Sequence, residues 1–137
     1  MRVVLDANIW IDIAARPKTY PESAEILRIL ELRGDFIFLP LCAYTTIYYV
    51  LQKVLSASAA VAFLKILNER KIKMLSFGER EVQKAQELQM SDHEDACVVA
   101  SSISARADYI VTRNVKAFKG SSIECSTSEE FLKKVLS

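Results

Sequence analysis

The chain is 137 residues long, a length that fits one domain able to build a core without disulfide staples. Its 18 basic and 17 acidic residues leave a net charge of +1, which excludes a whole-molecule field for nucleic acid or membrane and confines such binding to a local patch. Hydrophobic residues make up 51%, which excludes a disordered chain.

"RVVLD", residues 2–6, is a short apolar run ending in an acid and reads as a buried strand. "NIWIDIAA" follows as a helix closed by Arg16-Pro17, because the residue before proline is pushed out of the helical region. "YPESAEILRILELRG" places apolar residues at Ala24, Ile26, Leu27, Ile29 and Leu30, a helix stopped by Gly34. "DFIFLP" is a second strand. "LCAYTTIYYVLQKVL" and "SASAAVAFLKILNERK" are two helices split near Ser56, an αα-hairpin. "IKMLS" is a third strand, and "GEREVQKAQELQ" an exposed amphipathic helix with Val82, Ala85 and Leu88 inward. After an acidic stretch, "EDACVVASSISARA" is a helix and "DYIVT" a fourth strand. "VKAF" is a short turn or helix, and "SSIEC", residues 121–125, an edge strand. "TSEEFLKKVL" is the last helix, opened by a capping box of Thr127 and Glu130.

Strands alternate with helices throughout, and no linker, repeat or low-complexity segment interrupts them. That pattern predicts a single domain over residues 1–137, a three-layer α/β/α sandwich around a central parallel sheet. In such sheets ligands bind outside the carboxyl ends of the strands. Cys42, Cys97 and Cys125 are odd in number and widely spaced, which argues against a disulfide framework or a zinc knuckle and for a reducing, cytoplasmic setting. "MRVVLDANIW" does not have the form of a signal peptide, and no apolar run reaches the roughly 18 residues of a membrane span.

"SDHEDACVV", residues 91–99, gathers three carboxylates and the only histidine of the chain just before an apolar helix. One reading is capping, since Ser91 or Asp92 suits an N-cap and acids in a first turn suit the helix dipole. The other is a hard-ion site. Asp6 ends the first strand, Asn8 follows it, and Asp92 and Asp95 are spaced i,i+3 at a helix start. Clustered acids repel, and a divalent cation relieves the repulsion. Mg²⁺ or Mn²⁺ takes carboxylates plus waters, and in phosphodiester hydrolysis it activates the water and offsets charge on the leaving oxygen. Asp6 and "TRN", Thr112–Asn114, end parallel strands and share one sheet edge. The helix opened by Asp95 leads into the fourth strand and is expected to start at the opposite edge unless the preceding loop carries it back. His93 reads as a solvated residue and Cys97 as core.

Taken together, "VVLDANIWID" (3–12), "TTIYYVLQK" (45–53), "DHEDACVVASSISARADYIVTRNVKAF" (92–118) and the closing "STSEEFLKKVL" resemble the PIN-domain family, in order, in spacing and over nearly the full length. The resemblance implies an α/β/α sandwich that cuts RNA with Mg²⁺ or Mn²⁺ held by three or four acids. Many bacterial members are VapC-like toxins neutralised by a small antitoxin, and toxins of this type commonly pair as homodimers. It assigns Asp6 and Asp95 as metal ligands, with Asn8 and Thr112 lining the same pocket, and it implies a fold that brings the start of the Asp95 helix to the sheet edge of Asp6. Two positions depart from the pattern. The third-helix Glu of the family falls at about Thr46, and the Asp after the fourth strand is Asn114. No acid lies between Asp35 and Glu69, so a small misalignment does not explain the first departure. Asp92, or Asp12, is then the candidate substitute carboxylate. The Asn114 amide oxygen remains able to contact a metal-bound water.

Two functions stay open on these residues: a metal-dependent ribonuclease with Asp6, Asp92, Asp95 and Asn114 at its centre, and a degenerate PIN domain kept as an RNA- or protein-binding module. A phosphorylation receiver is disfavoured, because the strand-end acid is single and no strand-Lys-Pro follows. Arg113, Lys116 and Lys119 are candidate RNA phosphate contacts, against the alternative of a solvated turn. Tyr44 and Tyr48 share a helix face, which favours packing over base stacking.

Overall fold

The computed structural model describes all 137 residues. Five strands, β1 (Arg2–Leu5), β2 (Phe36–Pro40), β3 (Lys73–Leu75), β4 (Tyr109–Val111) and β5 (Glu124–Ser126), form one sheet in the order β3-β2-β1-β4-β5. Every neighbouring pair is parallel. Around it lie α1 (Ala7–Ala15), α2 (Pro21–Arg33), α3 (Tyr44–Val54), α4 (Ala57–Glu69), α5 (Glu79–Glu87), α6 (His93–Ser104) and α7 (Ser128–Lys134). Short 3₁₀ turns span Leu41–Ala43 and Val115–Phe118. The expected three-layer sandwich is the fold found.

The strands read as unbroken apolar runs because both faces of the sheet are covered. On one face Val3, Leu5, Ile37, Leu39 and Val111 pack with Trp10, Leu30, Ile47, Leu64 and Phe131, under α1–α4 and α7. On the other, Val4, Phe38, Leu75 and Ile110 pack with Val98, Val99 and Phe118. Trp10, Phe131, Leu5 and Ile47 are fully buried, each contributing roughly 1.5–3 kcal/mol by leaving water. Tyr44 and Tyr48 lie against the larger core, as their shared face predicted, whereas Tyr49 stays exposed.

Helix α2 stops at Gly34, which takes φ +78 and suits a residue without a Cβ. The last strand begins later than residue 121. Gly120 turns the chain at φ +93, and Ser121 ties its hydroxyl to the N–H and carbonyl of Ile123, so residues 120–123 form a turn and pairing starts at Glu124. Thr127 caps α7 by accepting from the Glu130 N–H at 3.2 Å, but the return bond of a capping box is not made. At α5 it is the return bond that forms: the Gly78 N–H donates to Glu81 Oε1.

The sheet order matters for the site. From β1 the chain moves outward through β2 to β3, then returns to place β4 and β5 on the other side. The crevice where strand order reverses therefore opens at the carboxyl ends of β1 and β4, where α/β sheets bind ligands.

Candidate active site

Leu5 pairs with Val111 at the last register position of β1 and β4, so the next residues, Asp6 and Thr112, face the crevice side by side. The ladder holds both: the Asp6 N–H donates to the Val111 carbonyl, and the Thr112 N–H to the Ser126 carbonyl, each at 2.9 Å. The two side chains are buried. Asp6 caps α1, accepting from the Ala7 N–H at 2.8 Å on Oδ1. Its Oδ2 accepts the Thr112 hydroxyl at 2.9 Å. Burial pushes the Asp6 carboxyl above its usual range, the bonds from Thr112 and Ala7 pull it back, and the charge of Asp92 raises it further. Asp6 thus caps α1 with one oxygen and holds the other at the crevice against Thr112.

Helix α6 starts beside this crevice, contrary to the expectation from chain order. A helix that feeds a parallel strand runs back along the sheet, so its N-terminus lies at the carboxyl edge and its C-terminus at the amino edge. Asp92 caps α6, its Oδ1 accepting from the Asp95 N–H at 2.9 Å. Capping uses one carboxylate oxygen and leaves the other free. The Asp95 carboxyl is pushed up to about 7 by burial, then by the charges of Asp6, Asp92 and Glu94. Two elements distant in sequence, the end of β1 and the start of α6, thus share one negative field.

Glu94 is the residue that the sequence reading passed over. Thr46 on α3 donates its hydroxyl to Glu94 Oε2 at 3.3 Å. Burial raises the Glu94 carboxyl, the Thr46 bond lowers it, and Asp6 and Asp92 raise it. A carboxylate from the first turn of α6 therefore stands against the position from which α3 would otherwise present one. The signal was available: a helix with no acid, and two acids more than a cap needs in "DHED".

Asp12 is not a substitute ligand. Its side chain is fully buried on α1, with Arg113 Nε at 2.8 Å and Arg16 Nη1 at 3.6 Å. Asn8 joins α1 to the loop after β4: its amide donates to Thr112 Oγ1 at 3.4 Å, and its Oδ1 accepts from the Arg113 N–H at 3.1 Å. The Asn114 N–H donates to Thr112 Oγ1 at 3.2 Å, and the Asn114 residue is exposed beside it. Lys116 and Lys119 are exposed on the same segment, and His93 is exposed at the start of α6. Cys97 is core, as expected. Cys42 stays a thiol, pushed up to about 12 by burial and by the charges of Cys97, Glu94 and Asp6.

The donors around the crevice are oxygens: the carboxylates of Asp6, Asp92, Glu94 and Asp95, the hydroxyls of Thr46 and Thr112, and the amides of Asn8 and Asn114. That chemistry fits Mg²⁺ or Mn²⁺, which take carboxylates and keep several waters, and not a thiolate or imidazole metal. No three acid, histidine or cysteine side chains close on one point as a ready-made cage.

The PIN domain family model matches residues 2–116, and the chain belongs to that family, one of nucleases. The VapBC2 structure from Rickettsia felis, bound to a DNA fragment from its promoter, superposes with a TM-score of 0.75 at 18% identity, covering 93% of this chain and 98% of that one. VapBC-1 from nontypeable Haemophilus influenzae gives 0.70 at 19% identity over 94% and 99%. VapC20 from Mycobacterium tuberculosis, a toxin that cleaves the sarcin-ricin loop, gives 0.64 at 12% identity over 79% and 86%. No match is found among curated proteins.

Proposed function

We propose that the chain is a divalent-metal-dependent endoribonuclease, the toxin of a toxin–antitoxin pair. The observation that supports this reading is that Asp6, at the end of β1, and Asp95, at the start of α6, lie within each other's charge field near the crevice where strand order reverses. Asp6, Asp95 and Asp92 would hold Mg²⁺ or Mn²⁺, with Glu94 supplying the carboxylate that Thr46 lacks. The ion, when bound, activates water and offsets charge on the scissile phosphate. Thr112 fixes the Asp6 carboxylate by donating to Oδ2, and leaves Oδ1 on the Ala7 N–H. The Asn114 amide, next to Thr112, orients water without adding charge. Lys116 and Lys119 lie exposed after β4 and suit phosphate contacts along an RNA strand.

An antitoxin partner is supported by the VapBC and FitAcB structures among the neighbours, the latter from Neisseria gonorrhoeae. The chain pairs as a homodimer in this reading, as two-fold symmetry is the commonest oligomer form, and exposed Val61 and Ile66 on α4 offer apolar surface. Three free cysteines suit a cytoplasmic setting, and no helix is long and apolar enough to cross a membrane. A second reading, a degenerate PIN domain that binds RNA or protein without cutting, is favoured by Thr46 and Asn114, each uncharged where the family carries an acid. Titration of Mn²⁺ into wild type and Asp6→Asn separates the two: heat of binding lost in the variant supports the nuclease, and no binding by either supports the module.

A further inference from the structure

Arg113 was a candidate phosphate contact, yet its guanidinium is already engaged. Nε stands 2.8 Å from Asp12 Oδ2. The same group stacks over the Tyr20 ring at 4.7 Å and donates from Nη1 to the Tyr20 hydroxyl at 3.3 Å. Three elements meet on one side chain: α1 through Asp12, the entry to α2 through Tyr20, and the loop leaving β4. The Asp12 side chain is wholly buried, while 39% of the Arg113 side chain remains exposed. Neither Asp12 oxygen has a well-aligned hydrogen-bond donor, so the pairing rests on charge and proximity. A buried carboxylate without good hydrogen bonds is a poor source of stability, and in some proteins such a pair serves to fix one arrangement out of several.

The arrangement fixed here is the loop that carries the site. Either side of the Arg113 guanidinium, the backbone is bound to the crevice: the Arg113 N–H to Asn8 Oδ1, and the Asn114 N–H to Thr112 Oγ1. Thr112 in turn donates to Asp6. Asn8 and Asp12 both lie on α1, four residues apart, and so on one side of that helix. Helix α1 therefore grips the loop at two points, one at the backbone and one at the guanidinium.

We infer that Asp12 and Arg113 form a clasp between α1 and the β4 exit loop that positions Thr112 and Asn114 over Asp6. Both are positioning residues, and Arg113 is not a phosphate ligand. The inference deepens the metal-site reading and rests on it for its consequence, though not for its geometry. Lysine does not replace Arg113, because an ammonium cannot stack on Tyr20 and reach Asp12 with a planar fork.

The first test is hydrogen exchange on the metal-free protein for wild type, Asp12→Asn, Arg113→Lys and the double variant. The clasp predicts that the Arg113 and Asn114 amides exchange about tenfold faster in each single variant, with strand amides unchanged. The double variant is expected to be no worse than the singles, as coupled partners are not additive. Unchanged exchange at those two amides in folded variants overturns the clasp. The second test is Mn²⁺ titration of the same four proteins, where each variant is expected to bind about tenfold more weakly, the scale of loss when a group supporting a ligand is removed. A phosphate-ligand role instead predicts weaker RNA binding for Arg113→Lys alone, with Asp12→Asn as wild type; that result also overturns the clasp. If wild type takes up no Mn²⁺, the metal-site reading fails, and the exchange data alone decide the clasp.

Discussion

Thr46 on α3 and Glu94 on α6 are 48 residues apart in sequence, and the hydroxyl of one donates to Oε2 of the other across 3.3 Å. The contact brings an acid from one helix to a position on another that lacks its own. If Glu94 serves the metal site, Glu94→Gln weakens Mn²⁺ binding about tenfold and leaves the fold melting cooperatively. Adding Thr46→Glu to that variant returns a carboxylate from the opposite side and restores affinity. Calorimetric titration of wild type, single and double variants reads this directly, and a Glu94→Gln protein that binds as wild type would reject the role.

The crowding of acids also has a consequence without metal. Burial and the charges of Asp6, Asp92 and Glu94 raise the Asp95 carboxyl from its ordinary 3.8 to about 7. The folded state thus holds a proton that the unfolded state releases. Wherever the native state binds more protons, stability falls as pH rises. The contribution is fully present below the unfolded value of 3.8 and is lost as pH climbs through about 7. Metal-free wild type should therefore melt at lower temperature at pH 7.5 than at pH 5, and Asp95→Asn should reduce that drop. Saturating Mn²⁺ should reverse the wild-type trend, since a cation favours the ionised acids. Parallel slopes for wild type and Asp95→Asn in metal-free buffer would count against the acid cluster.

Sequence made the sheet legible because its strands are buried on both faces, so "RVVL" and "FIFLP" stand out as unbroken apolar runs between helical segments. Asp6 was legible for a related reason: a charge at the end of a buried strand has few structural uses. Chain order alone was taken to put the start of α6 at the wrong edge, when a helix feeding a parallel strand must begin at the carboxyl edge; the family resemblance is what brought it to the crevice. The contacts of Glu94 and Arg113 were not foreseen, on different grounds. Their partners, Thr46 and Asp12, are set by helix packing, and nothing local in "DHED" or "TRN" encodes which side chain meets which.

Asn114 stands next to Thr112 at the mouth of the crevice, and its N–H already binds the threonine hydroxyl. Asn114→Asp adds a charge without changing shape. It should tighten Mn²⁺ binding, and since the residue is exposed it should move stability by no more than about 0.5 kcal/mol. Titration and a melting curve on the one variant check both halves of the prediction, and equal or weaker binding would place Asn114 outside the site.

The α3–α4 hairpin leaves Tyr49, Val54, Leu55, Val61 and Ile66 exposed, more apolar side chains than any other part of the surface shows. As the homodimer seam, this face should hold the chain as a dimer in light scattering at tens of micromolar, roughly the range in which a modest interface persists. Val61→Asp should shift that equilibrium toward monomer. A wild type that scatters only as a monomer rejects pairing, and a dimer untouched by Val61→Asp moves the seam elsewhere.

RNA cleavage decides between the nuclease and the degenerate module. In the nuclease reading the charge of a scissile phosphate is offset by a cation held among the acids of the crevice. Activity should therefore require Mg²⁺ or Mn²⁺ and vanish with EDTA. Asp95→Asn and Asp92→Asn should silence it, the first by removing a ligand that shares the field of Asp6, the second by removing both a carboxylate and the cap of α6. To separate those two roles of Asp92, Asp92→Ser keeps a capping side chain and removes the charge, so it should melt near wild type yet fail to cut. Asn114→Asp should raise the rate over wild type, because one more carboxylate tightens the ion where the chain has Thr46 and Asn114 in place of acids. A wild type with no EDTA-sensitive cleavage of any RNA, joined to cleavage gained by Asn114→Asp with Thr46→Glu, would instead identify a PIN scaffold kept for binding after its catalytic charge was lost.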